Sequence, residues 1–136
     1  MIGLDTNILV RLLIGDDPGQ RSAAETLLRD AVETGEECFV SDPVLCETEW
    51  VLESCYGASR AEISGALQGL LAQQGLLVFE NPEVFRRALA SYQSSRVDFS
   101  DLLIGAKAQA QNARTTYTFD RFLSQQPGFS LLKHLK

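Results

Sequence analysis

Short apolar runs recur along the chain with helical periods between them, and this alternation restricts the fold more than any single residue does. Met1–Leu4 reads as a buried strand that ends at Asp5. Residues 7–14 read as a short helix, stopped by Gly15 and the Asp16-Asp17-Pro18 turn. Ala24, Leu27, Leu28, Ala31 and Val32 then recur at helical spacing until Gly35. Cys38-Phe39-Val40 reads as a second strand, and Asp42-Pro43 starts a helix with Asp42 as N-cap and Pro43 at the first position. Ser59 and Glu62 spell a capping box ahead of Ile63, Ala66, Leu67, Leu70 and Leu71. Leu76–Phe79 is a third strand, and Asn81-Pro82 opens a helix carrying Phe85, Ala88, Leu89 and Tyr92. Ser100 can cap a helix running to Gln111 or so, in which Gly105, Ala106, Ala108 and Ala110 suggest close packing. Arg114–Phe119 reads as a fourth strand ending at Asp120, followed by a short helix and a weak strand near Ser130–Leu132. Strands separated by helices imply parallel pairing through crossovers. The expected fold is therefore α/β: a three-layer α/β/α sandwich with a central, mostly parallel four- to five-stranded sheet, and residues 1–136 forming a single domain.

Composition narrows the function. The chain is 45% hydrophobic and 22% charged, which supports a core and argues against disorder. Its net charge of −6 disfavours coating of duplex nucleic acid by bulk charge. That acidity belongs to one half: residues 1–56 hold 12 acids against 3 arginines, whereas residues 57–136 hold 6 acids against 9 bases. A basic surface on the second half is compatible with these counts. Asp5 and Arg11 interrupt the apolar start, so neither a signal segment nor a membrane span fits. Cys38, Cys46 and Cys55 form no CxxC pair and read as small core residues of a cytoplasmic protein. The single histidine, His134, makes a Ser-His-Asp triad, a His-rich zinc site and paired-histidine ribonuclease chemistry improbable. An enzyme built from this chain works with carboxylates, hydroxyls and a metal ion.

Open parallel sheets bind ligands beyond the carboxyl ends of their strands. Asp5 closes the first strand, Asp120 closes the fourth, Asp101 lies at a helix start, and Glu47 lies in the first turns after the second strand. Val44 and Val51 place Glu47 on an apolar helix face, with Glu49 and Glu53 on other faces. Each acid alone has an ordinary use. Asp5, Asp98, Asp101 and Asp120 can cap helices, and Glu47 can pair with an arginine. Convergence is what changes the reading, because clustered carboxylates repel and need a cation or protons. Hard oxygen donors without His or Cys select Mg²⁺ or Mn²⁺, and phosphodiester hydrolysis is the reaction that fits best.

Four segments carry a resemblance: Leu4-Asp5-Thr6-Asn7, Cys46-Glu47-Thr48, Asp98-Phe99-Ser100-Asp101-Leu102-Leu103-Ile104, and Thr116-Tyr117-Thr118-Phe119-Asp120. Together, in this order, they resemble the PIN domain, specifically VapC-type toxins of toxin–antitoxin modules. The resemblance covers essentially the whole chain and implies an endoribonuclease with four acids around Mg²⁺ or Mn²⁺. By position these are Asp5, Glu47, Asp101 and Asp120, with Asp5 and Asp101 as the main metal ligands. Thr6, Asn7 and Thr118 match polar positions lining such a site, and Asp98 fits as an accessory acid. Asp101 shares a helix face with Ile104 and Ala108, which favours it over Asp98 as the inner ligand. The resemblance also implies a homodimer, an RNA substrate, no membrane association, and a cognate VapB-type antitoxin whose tail blocks the acidic groove.

RNA approaching an acidic pocket needs cations for its flanking phosphates. Arg11, Arg96 and Arg121 are the candidates, with Arg86 and Arg87 behind them, and each is equally well a plain surface arginine. Trp50 and Tyr56 can stack bases or meet a partner, though core and dimer contacts are commoner uses. Two other classes compete: a catalytically silent PIN-like interaction module, and a phosphoacceptor signalling domain that also gathers aspartates around Mg²⁺.

Overall fold

The computed structural model describes residues 1–134. They fall into two compact units, one of residues 1–82 and one from Glu83 onward. The first contains β1 (Ile2–Gly3), α1 (Thr6–Leu13), α2 (Pro18–Thr34), β2 (Cys38–Val40), α3 (Asp42–Tyr56), α4 (Arg60–Leu71) and β3 (Leu77–Phe79). Its strands pair in parallel in the order β1-β2-β3, and Cys38 stands opposite both Ile2 and Leu77. Two helices separate each strand from the next, as parallel neighbours require. Leu9, Val40, Leu45, Leu52, Ile63 and Leu67 form its buried interior. Parallel pairing puts the carboxyl ends of all three strands, with Asp5, Ser41 and Glu80 just beyond them, on one edge of this sheet.

Local chemistry explains most helix boundaries. The Asp17 carboxylate accepts the Gln20 N–H at 3.0 Å, and Pro18 opens α2, where its missing N–H costs nothing. Gly35 closes α2 at φ 70°, a left-handed conformation that favours glycine. The Ser59–Glu62 capping box forms as expected. α3 departs from expectation. Its N-cap is Ser41, whose hydroxyl accepts the Val44 N–H at 3.4 Å, and Asp42 is already helical and buried. The Glu80 carboxylate accepts the Asp42 N–H at 2.6 Å, so a residue beyond β3 adds negative charge at this helix start beside Asp42 itself.

The second unit holds α5 (Pro82–Gln93), which starts at the boundary, then α6 (Phe99–Ala110), β4 (Thr116–Thr118), a 3-10 turn at Leu123–Gln125, and β5 (Phe129–Leu131). β4 and β5 pair in parallel with Thr116 opposite Phe129. Phe85, Tyr92 and Phe99 are buried together, the Phe99 ring meeting the other two edge-on. α6 starts one residue before the Ser100 cap read from sequence. Asp98 occupies the N-cap position, and its carboxylate makes no capping bond.

The α/β class therefore stands, with parallel strands divided as three and two. Cys38 is buried, Cys46 half-buried and Cys55 exposed, so the reading of all three cysteines as core residues fails at Cys55. Among the described residues no helix is long and apolar enough to cross a membrane.

Close packing of α6 holds at Gly105 and Ala106, whereas Ala110 is exposed. A Cβ on Gly105 would lie 2.5 Å from the Phe129 ring, closer than any real contact. Alanine is favoured over glycine inside a helix by roughly 1 kcal/mol, and overpacking costs about 1–3 kcal/mol. Overpacking wins, so Gly105→Ala lowers stability by about 1 kcal/mol, readable as a reduced urea midpoint. A raised midpoint would show that Phe129 swings aside at little cost.

Candidate active site

In the first unit, Asp5 follows β1 and caps α1, one carboxylate oxygen accepting the Ile8 N–H at 3.2 Å. The carboxylate is exposed, so capping and ligand binding are compatible uses of its two oxygens. Thr6 is buried behind it and Asn7 is exposed. Glu47 sits in the second turn of α3, and here the wheel argument is overturned. The buried stripe of α3 is Asp42, Leu45, Thr48, Glu49 and Leu52, whereas Glu47 faces solvent. Val44 and Val51 are only half-buried and mark the edge of that stripe. Glu49, placed on another face by the sequence reading, is 4% exposed. Thr48 is fully buried and donates to the Val44 carbonyl at 2.7 Å.

The second unit brings Asp98 and Asp120 into electrostatic reach of Asp101. Asp98 precedes α6, Asp101 lies in its first turn, and Asp120 follows β4. Asp101 is half-buried, and its carboxyl is held above the ordinary value of 3.8, first by burial and then by the charges of Asp98 and Asp120. Asp120 is fixed through one oxygen, which accepts the Phe122 N–H at 2.9 Å and the Leu123 N–H at 3.1 Å. Its own N–H is donated to Thr118 Oγ1 at 3.0 Å, so Thr118 holds the backbone of the acid. A half-buried carboxyl pressed by two like charges is a group that a cation would relieve. The donors are all oxygens, which suits a hard divalent ion.

The arginines differ in how they are engaged. Arg11 Nε donates to Gln20 Oε1 at 2.6 Å, and its Nη1 donates to Asp16 at 2.9 Å and to the Tyr56 hydroxyl at 3.0 Å. Tyr56 donates in turn to Asp16 at 2.9 Å. This network ties the end of α1 to the start of α2 and the end of α3. It holds Asp16 below the ordinary carboxylate value, chiefly through the Tyr56 hydroxyl. Arg86 pairs with Glu83 at 2.9 Å, while Arg87, Arg96 and Arg121 are exposed. Trp50 is 62% exposed and is no core residue.

Sequence reasoning missed Glu80 as the acceptor of the Asp42 N–H and the burial of Asp42 and Glu49. Glu80 carried a usable signal, since it directly follows a strand just as Asp5 does. Glu49 carried none, because apolar residues flank α3 on two faces. Against known proteins, the sequence profile of the PIN domain family matches residues 2–128, and the chain belongs to that family. A VapC ribonuclease of Aquifex aeolicus (strain VF5) is 26% identical over 118 residues, covering 87% of this chain and 86% of that protein.

Proposed function

We propose that this chain is a divalent-metal-dependent endoribonuclease that hydrolyses RNA phosphodiester bonds and acts as the toxin of a toxin–antitoxin pair. The observation that carries this reading is the half-buried Asp101 carboxyl beside Asp98 and Asp120, in a chain of the PIN domain family. The likeness to a VapC ribonuclease supports RNA as substrate and a VapB-type antitoxin as inhibitor. On this reading residues 1–136 act as one nuclease domain, as a cytoplasmic homodimer.

Asp5, Glu47, Asp101 and Asp120 would hold Mg²⁺ or Mn²⁺, with Asp98 as an accessory acid. Such an ion supplies Lewis acidity toward a phosphoryl oxygen and lowers the pKa of water. The chain contributes placement. Thr118 and the Phe122 and Leu123 N–H groups fix Asp120, and the Ile8 N–H fixes Asp5. Asp98, without a capping bond, is the acid at this helix start least committed to structure. Thr6 and Asn7 follow Asp5, and Arg96 and Arg121, both exposed, would meet phosphates, whereas Arg11 is engaged by Asp16 and Tyr56.

Cleavage of total bacterial RNA by purified protein, with Mn²⁺, Mg²⁺ or EDTA and beside Asp5→Asn, tests the reading. Discrete products that need the metal and vanish in the variant are expected. No products from antitoxin-free protein, with its mass verified, would favour a silent interaction module. Acyl-phosphate labelling of an aspartate would favour a phosphoacceptor domain.

A further inference from the structure

β4 and the residue that follows it carry their aromatics outward. Tyr117 and Phe119 alternate with Thr116 and Thr118, and a half-buried strand ordinarily turns its apolar residues in. Here the threonines are half-buried, while Tyr117 is 55% and Phe119 64% exposed. Phe119 borders a groove of about 510 Å³, lined also by Arg121, Leu131, Leu132, Lys133 and His134. That volume lies within the range of ordinary ligand sites, about 300–1,000 Å³. The His134 ring meets Phe119 edge-on at 5.6 Å and 77°, which restrains the phenyl ring yet leaves most of it uncovered. Arg121 and Lys133 bring positive charge, and among the described residues no carboxylate lines the groove. Asp120 lies between Phe119 and Arg121 in sequence, so the groove adjoins a proposed metal ligand.

We propose that this groove seats a single-stranded segment of the RNA substrate, an unpaired base stacking on Phe119 and neighbouring phosphates meeting Arg121 and Lys133. The inference rests on the nuclease reading above and deepens it. An aromatic platform flanked by cations is sequence-tolerant, because every base has a π-face. It selects unpaired strands, since bases inside a duplex offer no face to stack on. The charge distribution agrees, because the groove lies in the basic half of a chain whose net charge of −6 disfavours duplex coating.

The test is equilibrium binding of a short, mixed-sequence, fluorescein-labelled single-stranded RNA to the full chain carrying Asp101→Asn, which prevents cleavage. Adding Phe119→Ala is expected to weaken binding roughly 5- to 150-fold, with Phe119→Leu close to alanine and Phe119→Trp close to the parent. Lys133→Ala is expected to weaken all sequences alike and reduce the salt slope by about 1. The same sequence as a duplex should compete poorly. Unchanged affinity in Phe119→Ala and Lys133→Ala overturns the proposal. So does a change of oligomeric mass at unchanged RNA affinity, which would make the groove a protein contact. Binding needs no cleavage, so the two readings fail separately. Groove-dependent binding without metal-dependent cleavage in the wild type would sink the nuclease reading alone, and cleavage with unchanged affinity would sink the groove alone.

Discussion

Asp101→Asn is expected to reduce metal-dependent RNA cleavage at least about a hundredfold, beyond the 10- to 100-fold that outer partners of a metal site usually cost. The substitution keeps size and hydrogen bonding but removes the charge that a cation needs. Stability should move the other way. Because the folded Asp101 pKa is raised, the folded chain binds this proton more tightly than the unfolded chain does. The resulting stabilisation is fully present below the ordinary value of 3.8 and is lost as pH rises through the folded value. At neutral pH the metal-free wild type therefore carries a desolvated, repelled carboxylate that the variant lacks. Urea unfolding in EDTA should give Asp101→Asn the higher midpoint at pH 7, with the gap closing toward pH 4 or so. A variant both inactive and less stable at pH 7 would mean that Asp101 is structural. One that cuts at the wild-type rate would mean that the metal site lies elsewhere.

The second large effect is on folding. Phe99 is fully buried, its ring centroid 5.8 Å from Phe85 and 6.1 Å from Tyr92, at interplanar angles of 76° and 82°. Such edge contacts add to burial. Phe→Ala in a core costs about 3–5 kcal/mol, a large share of the 5–15 kcal/mol that holds a typical domain together. Phe99→Ala is thus expected to raise the unfolded fraction roughly 10²- to 5 × 10³-fold, while Phe99→Leu, which keeps much of the volume, costs far less. Chemical denaturation with an unchanged m-value checks this. Phe99 is the first residue of α6, between Asp98 and Asp101, so its removal should abolish activity by releasing the acids from their helix. A loss below about 1 kcal/mol would show that the three rings are not the core of the second unit.

Elements whose causes lie within a few residues were legible from the chain. The capping box at Ser59 and Glu62, Pro18 after Asp17, Gly35 at a left-handed turn, and the strands at Cys38–Val40 and Leu77–Phe79 all follow from near neighbours in sequence. Family membership was legible for a related reason, since the four motifs keep their order and spacing whatever the packing. The α3 face was not. Leu45 and Leu52 compete there with Val44 and Val51, a choice made by what packs on the helix and not by periodicity. At the start of α3 the Ser41 cap is joined by Glu80, a carboxylate 38 positions away from the Asp42 N–H it accepts. The face shared with Ile104 and Ala108 favours Asp101 over Asp98, yet Ile104 is 56% exposed; what separates the two acids is that Asp98 is exposed and Asp101 half-buried with its pKa raised. The residue types, their spacing and the local turns thus set the class of fold and the acids available to it. Which carboxylate is desolvated, and which helix face is buried, depended on partners distant along the chain, because burial and Coulomb energy act through space.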